Sequence, residues 1–255
     1  MDIEIIPIGT GNAFTKTGFE TNYIVRCGKT SLLVDCGTTA SRALAALDCS
    51  LLDFDHVYIS HLHLDHVGGL VELGMLRHLK QLPKPKIYAH ERLLPQLWDD
   101  YLGTFLGKFM DRNKKAATGG KETFFTWQPI PAVFEANDEV FQLGDLQIRL
   151  VAVPHVPGMV CHGVILNDRI FVSTDVTYQP ELLERIANAF AIEAMFHDCS
   201  VEVSRGVVHA AYEELLTLPE DLRELLILTH YEDSALERTD FELAVGEAGK
   251  SYIFP

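Results

Sequence analysis

The sequence predicts a layered α/β fold in which helices cover sheet. Short apolar or β-branched runs separated by glycines fill the first sixty residues, and from residue 86 onward strand-like and helix-like segments alternate. The size agrees: 255 residues, 47% hydrophobic and 22% charged, supply a sizeable core. With no linker, internal repeat or low-complexity tract in view, one domain over residues 1–255 is expected.

Residues 3–8, 22–26 and 30–35 read as strands, punctuated by Gly9, Gly11, Gly28 and Gly37. A short helix over 39–47 leads into a buried strand at 56–60. Apolar residues at 67, 70, 71, 73, 75, 76 and 79 predict a helix over 67–79. Further strands are expected near 86–89, 146–153, 162–166, 169–173, 193–197 and 225–229, with helices near 180–189, 209–217 and 240–246. Residues 101–134 break the pattern as an inserted aromatic and basic loop. They are poorly periodic and carry Phe105, Phe109, Phe124, Phe125, Trp127 and Phe134 among Lys108, Arg112, Lys114, Lys115 and Lys121. That composition fits a plain loop with aromatics folded beneath it. It also fits a lid or dimer arm that brings cations and rings to an anionic substrate.

Composition narrows the function. Thirty-six acids against 21 bases give a net charge of −15, which opposes bulk binding of a long nucleic acid. No apolar run reaches the roughly 18 residues that a membrane span needs, and the opening MDIEIIPIG carries acids where a secretion signal carries positive charge. Five cysteines with no CxxC pair argue against a disulfide scaffold and point to the cytoplasm.

The chemistry concentrates in His61-Leu62-His63-Leu64-Asp65-His66, between a strand and a helix. In extended chain, residues 61, 63 and 65 project to one side and Leu62 and Leu64 turn inward, while the helix start aims His66. Imidazoles and a carboxylate at this spacing suit zinc, and also manganese or iron. Three more ligand types sit just after apolar runs: His155 in VPHVPG, Asp175 in STD and His230 in ILTH. In α/β folds the carboxyl ends of strands collect functional groups.

HLHLDH resembles the HxHxDH motif of the metallo-β-lactamase superfamily, with His155, Asp175 and His230 falling in order at the remaining ligand positions. The resemblance implies a four-layer αβ/βα sandwich, an α/β (α+β) architecture with two Zn²⁺ per chain, Mn²⁺ being an alternative. It implies His61, His63 and His155 on one metal, Asp65, His66 and His230 on the other, and Asp175 bridging both; Asp65 would bind metal, orient the attacking water, or do both. Within the superfamily, the turn Ile8-Gly9-Thr10-Gly11-Asn12-Ala13 and the phrase HVPG are similar to the ribonuclease Z-like phosphodiesterase branch. His209, at the expected start of a helix, resembles that branch's extra histidine, the general acid toward the leaving oxygen. Its phrase here is VHAA rather than HST, and Asp198 in HDCS is a candidate to orient it. His162 and His197 lie near enough in sequence to support the site.

The branch includes small-molecule phosphodiesterases resembling phage anti-Pycsar proteins, compact homodimers that hydrolyse cyclic mononucleotides. That resemblance, with the acidic charge, implies a metal-dependent phosphodiesterase whose metal-bound hydroxide opens a small anionic cyclic nucleotide to a 5′-monophosphate, in a likewise homodimeric chain. The competing readings are a ribonuclease Z-type endonuclease maturing tRNA 3′ ends, a lactone or thioester hydrolase, and a metal-bound module without chemistry.

Overall fold

Alternate residues along the strands enter different cores, because the side chains of a strand point to opposite faces. In β1 (Ile3–Gly9), Ile3 and Ile5 join one buried cluster and Ile6 and Ile8 another. The structure, a computed structural model, describes residues 1–131, 140–202 and 208–255.

The first half of the chain builds one sheet from β1, β2 (Asn22–Cys27), β3 (Thr30–Val34), β4 (His56–Tyr58) and β5 (Lys86–His90). A small hairpin of β6 (Lys108–Met110) and β7 (Ala116–Thr118) precedes β8 (Thr126–Ile130), which joins that sheet parallel to β5. The second sheet holds β9 (Phe141–Leu143), β10 (Leu146–Ala152), β11 (His162–Leu166), β12 (Ile170–Val172), β13 (Ala194–Asp198), β14 (Leu226–Thr229) and β15 (Ala244–Val245). The last strand, β16 (Tyr252–Phe254), returns to the first sheet beside β1, completing the order β16-β1-β2-β3-β4-β5-β8.

Helices α1 (Ala40–Ala46), α2 (Leu64–Val67), α3 (Leu70–Lys80), α4 (Leu93–Gln96), α5 (Gly103–Leu106) and α6 (Lys121–Phe124) belong to the first half. Helices α7 (Pro180–Ala189), α8 (Tyr212–Leu215) and α9 (Glu220–Arg223) belong to the second. One core lies between the sheets, with Leu32 and Val34 of β3 facing Val164 and Leu166 of β11. A second lies under α1 and α3, and a third under α7 to α9. Two sheets back to back with helices outside each form the four-layer αβ/βα sandwich that the motif resemblance implies.

Several local expectations are corrected. Helix begins at Leu64, three residues early, and breaks at Gly68–Gly69 before α3 starts. His63 is extended (φ −70°, ψ 153°) and Leu64 already helical, so Leu64 turns out to solvent rather than inward. Residues 240–246 hold no helix: Ala244–Val245 pairs parallel with β14, a tertiary pairing that overrides local propensity. Of residues 209–217 only Tyr212–Leu215 are α-helical, leaving His209 in the loop before the helix cap. Residues 101–131 carry helix, hairpin and the β8 strand; Phe124 and Phe125 are core, and Phe134 lies outside the described residues. Among the described residues, no helix is long and apolar enough to cross a membrane.

Candidate metal centre

β1, β3, β4, β10, β12, β13 and β14 run so that their carboxyl ends meet along one seam between the sheets. Cross-sheet hydrogen bonds hold that seam. Tyr58 Oη donates to the His162 carbonyl at 2.8 Å, the Tyr23 and Thr229 hydroxyls meet at 2.7 Å, and the His230 amide donates to Thr21 Oγ1 at 3.0 Å. The HLHLDH segment leaves β4 here, and it is packed too closely for side chains on its neighbour. A Cβ at Gly37 would lie 1.9 Å from the Asp65 carbonyl oxygen. Buried Asn22 spans the same contact, accepting from the Gly37 amide at 2.5 Å and donating to the Asp65 carbonyl at 3.1 Å.

Seven ligand-type residues singled out in the sequence converge into two groups of donors that share Asp175. His61, His63, His155 and Asp175 form the first, and Asp65, His66, Asp175 and His230 the second; within each, the ligand atoms lie within 4.8 Å of one another. Asp175 divides its carboxylate between them. Oδ2 lies 3.7 Å from His61 Nε2 and 3.6 Å from His155 Nε2, while Oδ1 lies 3.2 Å from His66 Nε2 and 3.3 Å from His230 Nε2. Asp65 Oδ2 stands 3.2 Å from His66 Nε2 and 3.3 Å from His230 Nε2.

The far ring nitrogens are tied back. His66 Nδ1 is 2.7 Å from Asp35 Oδ2, His61 Nδ1 is 3.0 Å from Ser60 Oγ, and His155 Nδ1 is 2.8 Å from the Val208 carbonyl. Ser60 in turn donates both its hydroxyl and its amide to Asp35 at 2.8 Å. Donation through Nδ1 fixes each ring and turns Nε2 inward. There His61 Nε2, His66 Nε2 and Asp175 Oδ1 are buried without a hydrogen-bond partner. Orphaned buried polar atoms are costly, and an oxygen and nitrogens facing one another in this way are the donor set that divalent cations require.

The pKa shifts follow from this crowding of buried donors. Burial, with His66 alongside, pushes the His61 pKa well down and keeps that ring neutral, the form that ligates. Burial would also lower His66 and His230, but the Asp175 carboxylate above all outweighs it and raises both. Conversely, imidazoles overcome the burial that would raise Asp65 and Asp175, and hold both carboxylates ionised. Backbone strain gathers at the same seam: Asp35 (φ 61°), Thr174 (φ 55°) and His230 (φ 62°) are left-handed. Such positions cost of order 1–3 kcal/mol each and cluster at functional sites.

His209 stands beside the second group. Its Nδ1 is 2.7 Å from Asp198 Oδ2, and Asp198 Oδ1 is 3.3 Å from His230 Nδ1. Burial pulls the His209 pKa down, yet the Asp198 carboxylate leaves it raised. His63, Asp65, His155, Asp175, His209 and His230 line a cavity of about 880 Å³, and Glu202, Glu232 and Asp233 line the same cavity.

Other expectations fare differently. His162 stacks on His90 (ring centroids 4.4 Å apart), His197 Nδ1 meets the Asp198 carbonyl at 2.6 Å, and neither belongs to a donor group or lines the cavity. No described residue of the 101–134 segment lines it either, so within one chain the segment is not a lid over the site. Sequence reasoning passed over Asp35, although it follows the β3 run in LLVDCG and meets the strand-end criterion that found His155, Asp175 and His230.

A family model described as "Anti-Pycsar protein Apyc1" matches residues 3–249. Relatives carry the same description. That of Paenibacillus harenae is 36% identical over 227 residues, covering 89% of each chain, and that of Paenibacillus sp. (strain J14) is 34% identical over 238 residues, covering 91% of each. Among solved structures, the metallo-β-lactamase fold protein YhfI of Bacillus subtilis superposes with a TM-score of 0.73 at 18% identity, over 100% of both chains.

Proposed function

The chain belongs to the anti-Pycsar protein Apyc1 family and is a metal-dependent hydrolase, and from that premise we propose that it is a dinuclear phosphodiesterase opening cyclic mononucleotides to 5′-monophosphates. The observation that carries this reading is the pair of donor groups sharing Asp175 beneath a cavity large enough for a mononucleotide.

His61, His63 and His155 would hold one ion and Asp65, His66 and His230 the other, with Asp175 between them; nitrogen and carboxylate donors suit Zn²⁺, and Mn²⁺ as well. Bound there, the two ions would acidify water and offset negative charge on the phosphoryl oxygens. The chain's own residues supply the rest. Asp65 orients the attacking water in addition to its ligand role. His209, charged by virtue of Asp198, gives its proton to O3′ as the P–O3′ bond breaks. Hydrolysis thus consumes one water and leaves the phosphate on O5′.

The carboxylates of Glu202, Glu232 and Asp233 on the cavity lining support a small monoanion over a polyphosphate or a tRNA, since each further phosphate would add to the repulsion. The cysteines, all free, accord with a cytoplasmic protein. Phe105 and Met110, 53% and 58% exposed near the β6–β7 hairpin, accord with a homodimer joined there.

Chromatography of products tests the function. With Zn²⁺ or Mn²⁺, cyclic AMP, GMP, CMP and UMP should yield 5′-mononucleotides while a 3′-extended tRNA precursor stays intact; inert cyclic nucleotides would refute the reading. His209→Ala should lower kcat by roughly 10²- to 10⁴-fold with metal content unchanged, because His209 lies outside the two groups that share Asp175. Loss of metal in that variant would make His209 a ligand instead.

A further inference from the structure

The ions and their donors account for the phosphate end of such a substrate, but the cavity extends well past them. At its mouth stands Phe14, 80% exposed, with Ala13 beside it and Leu64, 54% exposed, also lining the cavity. Large apolar side chains left in water at the opening of a polar site call for an explanation, since singly scattered ones elsewhere need none.

The loop that carries Phe14 is braced. Asn12 Oδ1 accepts from the Phe14 amide at 2.9 Å. Asp233 accepts from Thr15 Oγ1 at 2.5 Å, from the Lys16 amide at 2.7 Å and from the Thr17 amide at 3.2 Å. Gly11 forms a β-bridge with Tyr231, next to His230, so the loop is tied to the seam that carries the donor groups. Among the described residues Phe14 makes no ring contact, and from this braced backbone its side chain lines the same cavity that the donor groups line.

We propose that Phe14, with Leu64 lining the same cavity, is the platform on which the nucleobase of the substrate stacks, a specificity role that rests on the phosphodiesterase reading above. Every base has a π-face, so a stacking platform accepts purines and pyrimidines without a hydrogen-bond code. The enzyme therefore selects for the presence of a base rather than for its identity. The aromatics of 101–134 do not supply this ring from within the chain, since none of their described members reaches the cavity.

The test compares wild type, Phe14→Ala and Phe14→Trp on the four cyclic nucleotides and on methyl riboside 3′,5′-cyclic phosphate, which has the ring phosphate and no base. Phe14→Ala should raise KM for every cyclic nucleotide by roughly 10- to 100-fold, the change falling on KM rather than kcat. The base-free substrate should not distinguish the variants, and Phe14→Trp should restore the nucleotide KM. An unchanged nucleotide KM in Phe14→Ala, or an equal rise with the base-free ring, would overturn the platform while leaving the phosphodiesterase intact. Wild type that hydrolyses none of these substrates would overturn both. Phe14 packs in none of the three cores, so the variant should fold, and a melting curve verifies it.

Discussion

Asp175→Asn should cost at least about 10³-fold in turnover and reduce bound metal from about two ions per chain to one or fewer. Asn keeps the volume and the left-handed approach from Thr174 but removes the charge. Among the described residues, only Asp175 belongs to both donor sets, with Oδ2 toward His61 and His155 and Oδ1 toward His66 and His230. It is 2% exposed. Without it the first set retains only imidazoles and the second a single carboxylate, Asp65, beside the imidazoles of His66 and His230, too little anionic charge to hold two neighbouring dications. Elemental analysis beside steady-state kinetics reads both effects. A variant that keeps two ions and turns over within tenfold of the parent would remove Asp175 from the centre.

Stripping the ions should lower the melting temperature by roughly 8–16 °C. A ligand present at a thousand times its dissociation constant stabilises the native state by about 4 kcal/mol, and each kcal/mol shifts a chain of this size by about 2–4 °C. The effect should be global, because the donors come from both sheets: residues 61–66 follow β4 of the first, while His155, Asp175 and His230 follow β10, β12 and β14 of the second. Ions bound between them would staple two layers that otherwise meet through apolar packing and a few hydrogen bonds. Thermal scans in chelator, in Zn²⁺ and in Mn²⁺ measure this. Superimposable curves would mean that the donor groups bind no metal in the native protein.

The parts of this site that were legible in the sequence are those written locally. HLHLDH packs several donors into six residues, and His155, Asp175 and His230 each follow an apolar run that reads as a strand, so strand polarity carries them to one edge. The parts that were illegible depend on partners distant in the chain. Ala244–Val245 is a strand because β14 offers it an edge, not because of its own residues. Phe124 and Phe125, set in an irregular aromatic stretch, become core by packing beneath α3. Leu64 looks inward by alternation but faces water, because the helix begins one residue after His63. Phe14 carries no local sign of its position, which is set by Asp233, more than two hundred residues away.

Glu202, Glu232 and Asp233 line the same cavity as the metal-type donors. In the proposed reaction a cyclic phosphodiester would enter with a single negative charge, whereas the monoester formed from it would carry about −1.5 to −2 near neutral pH. The same carboxylates would then push harder on the outgoing ligand than on the incoming one. Departure would be favoured by the charge that hydrolysis adds and re-entry of product opposed by it, a bias of traffic outward without any moving part.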